Sequence, residues 1–248
     1  MRFIDLTDAG RVRNLNQDYV YATDSAIGNL PNLFLVADGM GGHNAGDYAS
    51  KNAVQMVVEE IKSCEDEEPV TIMEQAITSA NHSLYIEASI DSAKSGMGTT
   101  FVAATILGEH LYVANVGDSR LYVLDDKQMN QVTRDHSFVE EMVRRGEMPE
   151  SETFHHPQKH MITRAVGAEE QVKIDFFDVH LQGNETILIC TDGLTNMIED
   201  DDIYSIMSSE QTIEKKAEKL LDTANQNGGR DNITVVVIEP FSDEVKAC

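Results

Sequence analysis

Apolar runs separated by polar, turn-forming stretches recur along the chain, and eight of them have the length and composition of β-strands. They are rich in β-branched and aromatic residues. The predicted strands are residues 18–24, 33–38, 99–107, 111–118, 120–126, 172–179, 186–192 and 232–240. The third and fourth runs are separated by Gly108, Glu109 and His110 alone, which predicts an antiparallel hairpin.

Three other stretches repeat their apolar residues at helical spacing. Two of them follow each other at residues 49–61 and 72–88, and the third covers residues 213–224. A shorter helix is predicted from Phe138 to Arg145. Hairpin strands with the helices grouped between them favour an α+β fold over strict alternation of strand and helix.

The segment 147–160 has no periodicity and contains Pro149 and Pro157, so we predict a long surface insertion. Loops of this length in a compact domain are often functional. At 248 residues the chain is long enough for a sizeable core, in one large domain or in two.

The net charge of −24 is the unusual feature of the composition, since 41% hydrophobic and 25% charged residues are ordinary values. An excess of carboxylates repels phosphate backbones, so we expect no nucleic-acid partner and no anionic membrane surface. No run approaches the ~20 apolar residues of a membrane span, and the N-terminus lacks the pattern of a signal peptide.

The three cysteines are odd in number, widely spaced and free of a CxxC pattern. This usage is typical of a reduced, cytoplasmic protein. Cys190 ends an apolar run and is expected in the core, whereas Cys64 and Cys248 show no pairing pattern.

Aspartates stand where the apolar runs stop. Asp38, Asp118 and Asp192 end three of the runs, Asp231 directly precedes the last one, and Asp18 begins the first. A single Asp-Gly after a strand is usually a turn. Five such carboxylates at one edge of a fold would repel one another unless they were protonated or bound to cations.

Two kinds of site fit the stretch LFLVADGMGGHNAG, residues 33–46: a phosphate-cradling loop or a metal centre. The pattern GxxxxGK[ST] is absent, and GxGxxG fails because the sixth position counted from Gly39 is Asn44. Aspartates and backbone carbonyls are hard oxygen ligands that suit Mg²⁺ or Mn²⁺, and no Cys/His set offers a zinc alternative. The metal centre is therefore favoured.

Eight ordered blocks carry a family resemblance. They are TDAGRVRNLNQD, VADGMGGH, GMGTT, ANVGDSRLY, TRDHS, TRAVG, CTDGLTN and GGRDNITVV. Together they span nearly the whole chain, from about residue 3 to residue 239. The chain resembles the metal-dependent Ser/Thr protein phosphatases of the type 2C (PP2C, PPM) class, in particular its short bacterial members.

The resemblance implies a four-layer αββα sandwich, in which two antiparallel β-sheets are flanked by α-helices. It implies a two-metal centre of Mn²⁺ or Mg²⁺ at one edge, with a third, weaker ion. The matching metal ligands are Asp18, Asp38, Gly39, Asp118, Asp192 and Asp231. In this correspondence Asp38 bridges the two core ions, the Gly39 carbonyl binds one of them, and Asp118 anchors the third.

The same resemblance implies that phosphoserine and phosphothreonine on proteins are hydrolysed by direct attack of a metal-bridging water. Arg13 would receive the substrate phosphate, for which its planar fork is suited. A bacterial Ser/Thr kinase would be the opposing enzyme. Residues 1–240 would form the catalytic domain, with a flap over residues 137–165 and a tail at 241–248. We expect a monomer.

Three residues depart from the family pattern. Gln17 stands where the family often has Glu, and Asn196 replaces a frequent Asp near the third ion. Met40 occupies the position where many eukaryotic relatives carry a proposed acid catalyst, a role that His43 does not automatically inherit. The proton donor for the leaving group therefore stays unassigned.

Other polar residues in the motifs are expected to be structural. Arg164 is expected in an ion pair, and His155 and His156 on the surface of the insertion. Ser119 and Arg120 are expected to shape the turn after Asp118, and Thr99 and Thr100 to begin a strand.

Two rivals keep the fold but change the function. One is a pseudophosphatase that binds phosphoproteins or metal without turnover, against which Arg13 and the core aspartates argue. The other is the stage II sporulation or stress-response branch, which acts on an anti-sigma antagonist. It ranks lower because the long regulatory domains of that branch are absent from these residues.

Overall fold

The computed structural model describes residues 1–42 and 45–242 of the chain. His43, Cys248 and most of the predicted tail lie outside these ranges. In chain order the strands are β1 (Arg2–Asp8), β2 (Asp18–Thr23), β3 (Leu33–Met40), β4 (Gly98–Thr99), β5 (Phe101–Leu107), β6 (His110–Val116), β7 (Arg120–Leu124), β8 (Met129–Gln131), β9 (Asp175–His180), β10 (Thr186–Cys190) and β11 (Ile233–Glu239). The helices are α1 (Ala45–Ser63), α2 (Pro69–Ile90), α3 (Phe138–Arg144), α4 (Asp192–Thr195), α5 (Asp200–Met207) and α6 (Ile213–Gln226).

The strands form two antiparallel sheets. The first has the order β1-β11-β10-β7-β8, and the second has the order β2-β3-β5-β6-β9 with β4 paired to β3. The helices α1 and α2 pack on the outer face of the second sheet. The helices α4, α5 and α6 pack on the outer face of the first. A third apolar cluster fills the space between the sheets, so the predicted αββα sandwich is confirmed.

Strand β3 shows how this layering produces the sequence pattern. Leu33, Leu35 and Ala37 contribute to the cluster under α1 and α2, whereas Phe34 and Val36 contribute to the cluster between the sheets. Both faces of the strand are buried, so its apolar run is uninterrupted rather than alternating. The next position with the parity of Phe34 and Val36 is Asp38, which therefore lies at the edge between the two sheets.

Two predicted boundaries show how the elements differ from the sequence prediction. The hairpin loop consists of Gly108 and Glu109 alone, because His110 already pairs with Leu107, and Gly108 adopts a φ of 62° that suits a tight turn. Strand β9 begins at Asp175, three residues after the predicted start at 172. Cys190 is buried in the core, as predicted.

Strands β1 and β8 and helices α4 and α5 were not predicted. Strand β1 is an edge strand that pairs with β11 alone, and its half-exposed pattern lacks a clean apolar alternation. Helix α5 has three aspartates in its first turn and buries only Ile203 and Met207. Such short, polar elements acquire their structure mainly from tertiary packing.

The flap, residues 137–165, begins with helix α3, which Ser137 caps through a side-chain oxygen that accepts a hydrogen bond from the Glu140 amide at 3.3 Å. Its remaining ordered piece is a short 3-10 turn at Glu150–Glu152. The two ends of this segment approach each other where Phe138 N donates to Met161 O at 2.8 Å, and Thr163 N donates to the carbonyl of His136, just before the segment, at 2.7 Å. In the parts of the chain that the structure covers, no helix has both the length and the apolar composition needed to cross a membrane.

Candidate metal centre

The five strand-end aspartates come together at one edge of the sandwich. Asp18 and Asp38 are direct partners in the register of β2 and β3. Four of the five then line one cavity of about 560 Å³, which Arg13 also borders. These four residues are Asp38, Asp118, Asp192 and Asp231. The predicted convergence of carboxylates is therefore present in the structure.

Asp18 is buried, with one carboxylate oxygen paired and the other open. Its Oδ2 accepts hydrogen bonds from Thr191 Oγ1 at 2.9 Å and Thr234 Oγ1 at 2.7 Å. Its Oδ1 is buried and accepts no hydrogen bond. Burial raises the pKa of Asp18 to about 7, against the lowering effect of the two threonines. The open oxygen is the kind of atom that a cation would satisfy.

Asp38 is fixed through its backbone by two threonines. Thr100 Oγ1 accepts from the Asp38 amide at 3.0 Å, and the Asp38 carbonyl accepts from Thr100 N at 2.9 Å and from Thr99 Oγ1 at 2.8 Å. Burial, followed by the charges of Asp18 and Asp192, holds the pKa of Asp38 well above its ordinary value. The predicted strand 99–107 is interrupted here, because Thr99 ends β4 and Thr100 lies between β4 and β5. Both threonines hold the backbone of the central carboxylate in place.

Asp192 opens helix α4 directly after strand β10. Its Oδ2 accepts from Asn196 Nδ2 at 2.7 Å and lies 4.0 Å from Nδ1 of His160 in the flap. Its Oδ1 is buried without a hydrogen-bond partner. The structure thus places Asn196 beside Asp192 and leaves a second buried carboxylate oxygen open.

Asp231 and Arg13 form a pair at the rim of the cavity. Arg13 Nη2 donates to Asp231 Oδ2 at 2.8 Å, and both side chains are exposed by a third or more. The loop that carries Arg13 is held by buried Asn232, whose Nδ2 donates to the carbonyls of Ala9 at 3.0 Å and Leu15 at 2.9 Å. These hydrogen bonds therefore hold the loop that places Arg13 at the rim of the cavity.

Asp118 is buried in the turn between β6 and β7. Burial and the charge of Asp192 raise the pKa of Asp118 well above its ordinary range. Its neighbour Ser119 shares a hydrogen bond of 2.8 Å with Thr100, which joins this turn to the strand of Asp38. Ser119 thus shapes the turn, as predicted.

Two glycines allow the backbone around the site to pack closely. A Cβ on Gly39 would collide with the carbonyl oxygen of Gly46, at the start of α1. A Cβ on Gly193 would collide with the carbonyl oxygen of Asn232. Side chains at these positions would push apart the segments that carry Asp38, Asp192 and Asp231.

The oxygen atoms at this edge suit a hard divalent cation, both because they are carboxylate oxygens and because some of them have no hydrogen-bond partner. The buried carboxylates raise one another's pKa values, as is expected where too little positive charge is nearby. One oxygen of Asp18 and one of Asp192 have no hydrogen-bond partner. Within residues 1–42 and 45–242, however, no three His, Cys, Asp or Glu side chains are grouped so that they could hold an ion as they stand. Because Arg13 engages Asp231 and Asn196 engages Asp192, ion binding requires these side chains to adjust.

Sequence reasoning missed the residues that support the aspartates. Thr191 and Thr234 bond Asp18 from 173 and 216 positions away. In the flap, Lys159 and His160 border the same cavity as Arg13. A long-range hydrogen bond leaves no local pattern, and the flap residues lie in the segment without periodicity.

The remaining motif residues are structural, as predicted. Arg164 forms an ion pair with Asp175, with Nη1 2.9 Å from Oδ1. Arg120 is paired with Asp135, with Nη2 2.8 Å from Oδ2. Met40 lines the cavity of the aspartates, and His155 is exposed on the flap.

Comparison with known proteins agrees with the family resemblance of the sequence. The family model of protein phosphatase 2C matches residues 9–234. A serine/threonine phosphatase stp of Listeria innocua serovar 6a is 39% identical over 237 residues, which cover 94% of this chain and 93% of the relative. The protein phosphatase PhpP of Streptococcus pneumoniae serotype 2 is 35% identical, with 97% of this chain and 98% of the relative covered.

Solved structures agree with these relatives. The crystal structure of the serine/threonine phosphatase Stp1 from Staphylococcus aureus superposes with a TM-score of 0.88 at 33% identity, covering 95% of this chain and 93% of that one. The serine/threonine phosphatase PstP/Ppp of Mycobacterium tuberculosis gives a TM-score of 0.85 at 31% identity, covering 95% and 97%. The chain therefore belongs to the protein phosphatase 2C family and is a serine/threonine phosphatase.

Proposed function

We propose that the aspartate edge is the catalytic centre and that it works with Mn²⁺ or Mg²⁺. A serine/threonine phosphatase acts on phosphoproteins, and its family depends on divalent metal in general. The observation that carries the proposal is the open, buried oxygen on Asp18 and on Asp192, at an edge where four of the five carboxylates border one cavity and Asp18 is the direct strand partner of Asp38. Uncompensated buried charge is costly, so such an arrangement favours a bound cation.

In this proposal two core ions are held by Asp38 together with the Gly39 carbonyl, Asp192 and Asp231. Asp18 and Gln17 would contact the waters of these ions, and Asp118 with Asn196 would hold a third ion. When bound, such ions supply an activated water and neutralise charge on the phosphoryl oxygens. Thr191 and Thr234 occupy one oxygen of Asp18, which leaves the other without a hydrogen-bond partner.

Arg13 is the residue that we assign to the substrate phosphate. Its present bond to Asp231 uses Nη2 of a guanidinium that has five N–H donors in a planar fork. An ion on Asp231 would compete with Arg13 for that carboxylate and release the fork for the phosphate. Arg13 would orient the phosphoryl group and stabilise the charge on its oxygens.

The biological setting follows from the same family membership. We propose phosphorylated proteins as substrates, a bacterial Ser/Thr kinase as the opposing enzyme, and a monomer in the cytoplasm as the working form. Residues 1–240 are the proposed catalytic domain, with the flap as the insertion next to its cavity.

The test compares Asp38→Asn with Asp178→Asn. Asp178 is an exposed carboxylate on β9 that pairs with His110, away from the cavity. Hydrolysis of a phosphothreonine peptide with Mn²⁺ should fall at least about a hundredfold in Asp38→Asn. It should be unchanged in Asp178→Asn and stop on addition of EDTA.

Full activity of a folded Asp38→Asn variant would overturn the site assignment. Mn²⁺ binding by the wild type without hydrolysis of the peptide or of p-nitrophenyl phosphate would instead indicate a pseudophosphatase.

A further inference from the structure

His136 lies between the turn of Asp118 and the flap, and it contacts both. It is buried, in the segment that connects β8 to α3. None of the roles assigned above to the aspartates, Arg13 or Gly39 involves it. Its two ring nitrogens point to different parts of the molecule, which makes their functions separable.

The Nδ1 side of His136 holds the turn that carries Asp118. The Gly117 amide donates to His136 Nδ1 at 3.0 Å, and the His136 amide donates to the Gly117 carbonyl at 2.9 Å. Both backbone polar groups of Gly117 are thus bonded to one residue. Gly117 has a φ of 107°, a conformation that glycine tolerates but that needs support to be unique.

The Nε2 side faces a different pair of residues. Nε2 lies 3.2 Å from Asp175 Oδ2 and 3.0 Å from Nη1 of Arg164, which itself donates to Asp175 Oδ1 at 2.9 Å. Because Nδ1 accepts from Gly117, a neutral ring carries its proton on Nε2, and Nε2 donates to Asp175. Burial lowers the pKa of His136, in agreement with a neutral ring.

The backbone of His136 completes the connection to the flap. Thr163 N donates to the His136 carbonyl at 2.7 Å, and Ser137 and Ile162 form an isolated bridge. The beginning of the flap and the part near its end therefore meet at His136. One step further, Val166 and Thr99 exchange backbone hydrogen bonds of 2.8 and 3.0 Å, which joins the returning chain to β4 beside Asp38.

We propose that His136 is a positioning residue that fixes the Gly117–Asp118 turn through Nδ1 and the base of the flap through Nε2. It touches neither substrate nor metal and acts through Gly117 on the turn of Asp118, and through Asp175 on Arg164, which is bonded to the same carboxylate. The part that concerns ion binding rests on the proposed function, since it requires Asp118 to serve an ion. The part that concerns the turn and the flap does not.

Two substitutions separate the two nitrogens. His136→Asn keeps a polar atom near the position of Nδ1 and loses the contact to Asp175. His136→Gln places its amide near the position of Nε2 and loses the acceptor for Gly117. His82→Asn, at an exposed position on α2, is the matched control. Asp175→Asn weakens the Nε2 side without changing His136.

The measurements are amide hydrogen exchange of the metal-free protein and Mn²⁺ binding followed by the electron paramagnetic resonance of free Mn²⁺. In His136→Gln we expect amide exchange at Gly117 to become about tenfold faster, whereas amide exchange in the flap stays near that of the wild type. The affinity of the weakest Mn²⁺ site should fall about tenfold in the same variant. In His136→Asn and Asp175→Asn we expect the reverse, with flap exchange about tenfold faster and Mn²⁺ binding near wild type.

A merely structural histidine would give a different result. Equal effects of Asn and Gln on turn and flap, or wild-type exchange at both places, would overturn the proposal. If a His136 variant does not fold, Asp175→Asn still tests whether the Nε2 side fixes the base of the flap. Unchanged amide exchange of the flap in Asp175→Asn would contradict that part of the proposal. Failure of the wild type to bind Mn²⁺ would contradict both the proposed function and the ion-binding part of this proposal. Amide exchange at Gly117 would still test whether His136 fixes the Gly117–Asp118 turn.

Discussion

The cluster around Arg120 and the aspartate edge both withdraw charged groups from solvent. They differ in whether these groups have partners. Around Arg120 the charges are paired, since Nε and Nη2 donate to Asp135 at 3.0 and 2.8 Å and Nη1 donates to the Tyr122 hydroxyl at 2.9 Å. At the aspartate edge, buried oxygens of Asp18 and Asp192 have no partner.

The contrast separates a structural cluster from a functional one. Burial disfavours the charge of Arg120, and Asp135 outweighs burial and raises the pKa of the guanidinium. At the aspartate edge, burial and like charges act in the same direction and raise the pKa of Asp38. A protein that leaves carboxylates in this state without a cation sacrifices stability for the capacity to bind one.

The largest expected effect is a difference in sign between two isosteric substitutions. Asp38→Asn removes a repelling carboxylate and should raise the free energy of unfolding of the metal-free protein by about 1–3 kcal/mol. Asp135→Asn removes the partner of Arg120 and should lower it by about 1–3 kcal/mol. Urea denaturation of both variants in EDTA measures the difference. Destabilisation by both would remove the distinction between the clusters.

Mn²⁺ should stabilise the protein through the aspartate edge alone. At a concentration 100 times the dissociation constant, a single ion adds about 2.7 kcal/mol. For a chain of this size that corresponds to a rise in Tm of about 5–11 °C. Asp135→Asn should keep the rise and Asp38→Asn should lose most of it, as thermal melts with and without Mn²⁺ would show. An equal rise in both variants would place the ion elsewhere.

The pH dependence of the metal-free protein should reflect Asp18. Its pKa of about 7 in the folded state lies above the ordinary value of 3.8, so the folded chain retains a proton that the unfolded chain releases. Stability should therefore fall as the pH rises from about 4 to 7, by about 3 kcal/mol. Asp18→Asn should reduce this slope in denaturation curves taken in EDTA, and the raised pKa values of Asp38 and Asp118 account for what remains. A slope that the substitution leaves unchanged would show that Asp18 does not hold the proton.

The smallest effect on stability belongs to Arg13. Its pair with Asp231 is exposed and should contribute less than about 1 kcal/mol. Hydrolysis of a phosphothreonine peptide should nevertheless fall at least about tenfold in Arg13→Ala, with part of the loss in KM. A loss of folding stability as large as that of Asp135→Asn would mean that Arg13 belongs with the structural cluster.

The sequence predicted the aspartate edge because strands buried on both faces leave a simple signature. In β3 and β11 each apolar run is continuous, so the carboxylates Asp38 and Asp231 stand out at the ends. Alternation and turn chemistry likewise identified the hairpin of β5 and β6. These signals are local, and they suffice for the layers and for the position of the site.

The missed features depend on contacts between distant parts of the chain. Strand β1 is defined by its pairing with β11, from Arg2 with Glu239 to Asp8 with Ile233. Thr234 and His136 look like ordinary strand and loop residues until the fold brings them to Asp18 and Gly117. Apolar periodicity carries no information about such hydrogen bonds.

The most direct test of the central claim is a Mn²⁺ titration of the metal-free wild type, with ion binding and phosphothreonine-peptide hydrolysis measured on the same samples. We expect at least two ions per chain, hydrolysis that appears as they bind, and loss of both in Asp38→Asn. Hydrolysis at full rate in the metal-free protein, or an Asp38→Asn variant that binds Mn²⁺ and hydrolyses the peptide like the wild type, would contradict the account.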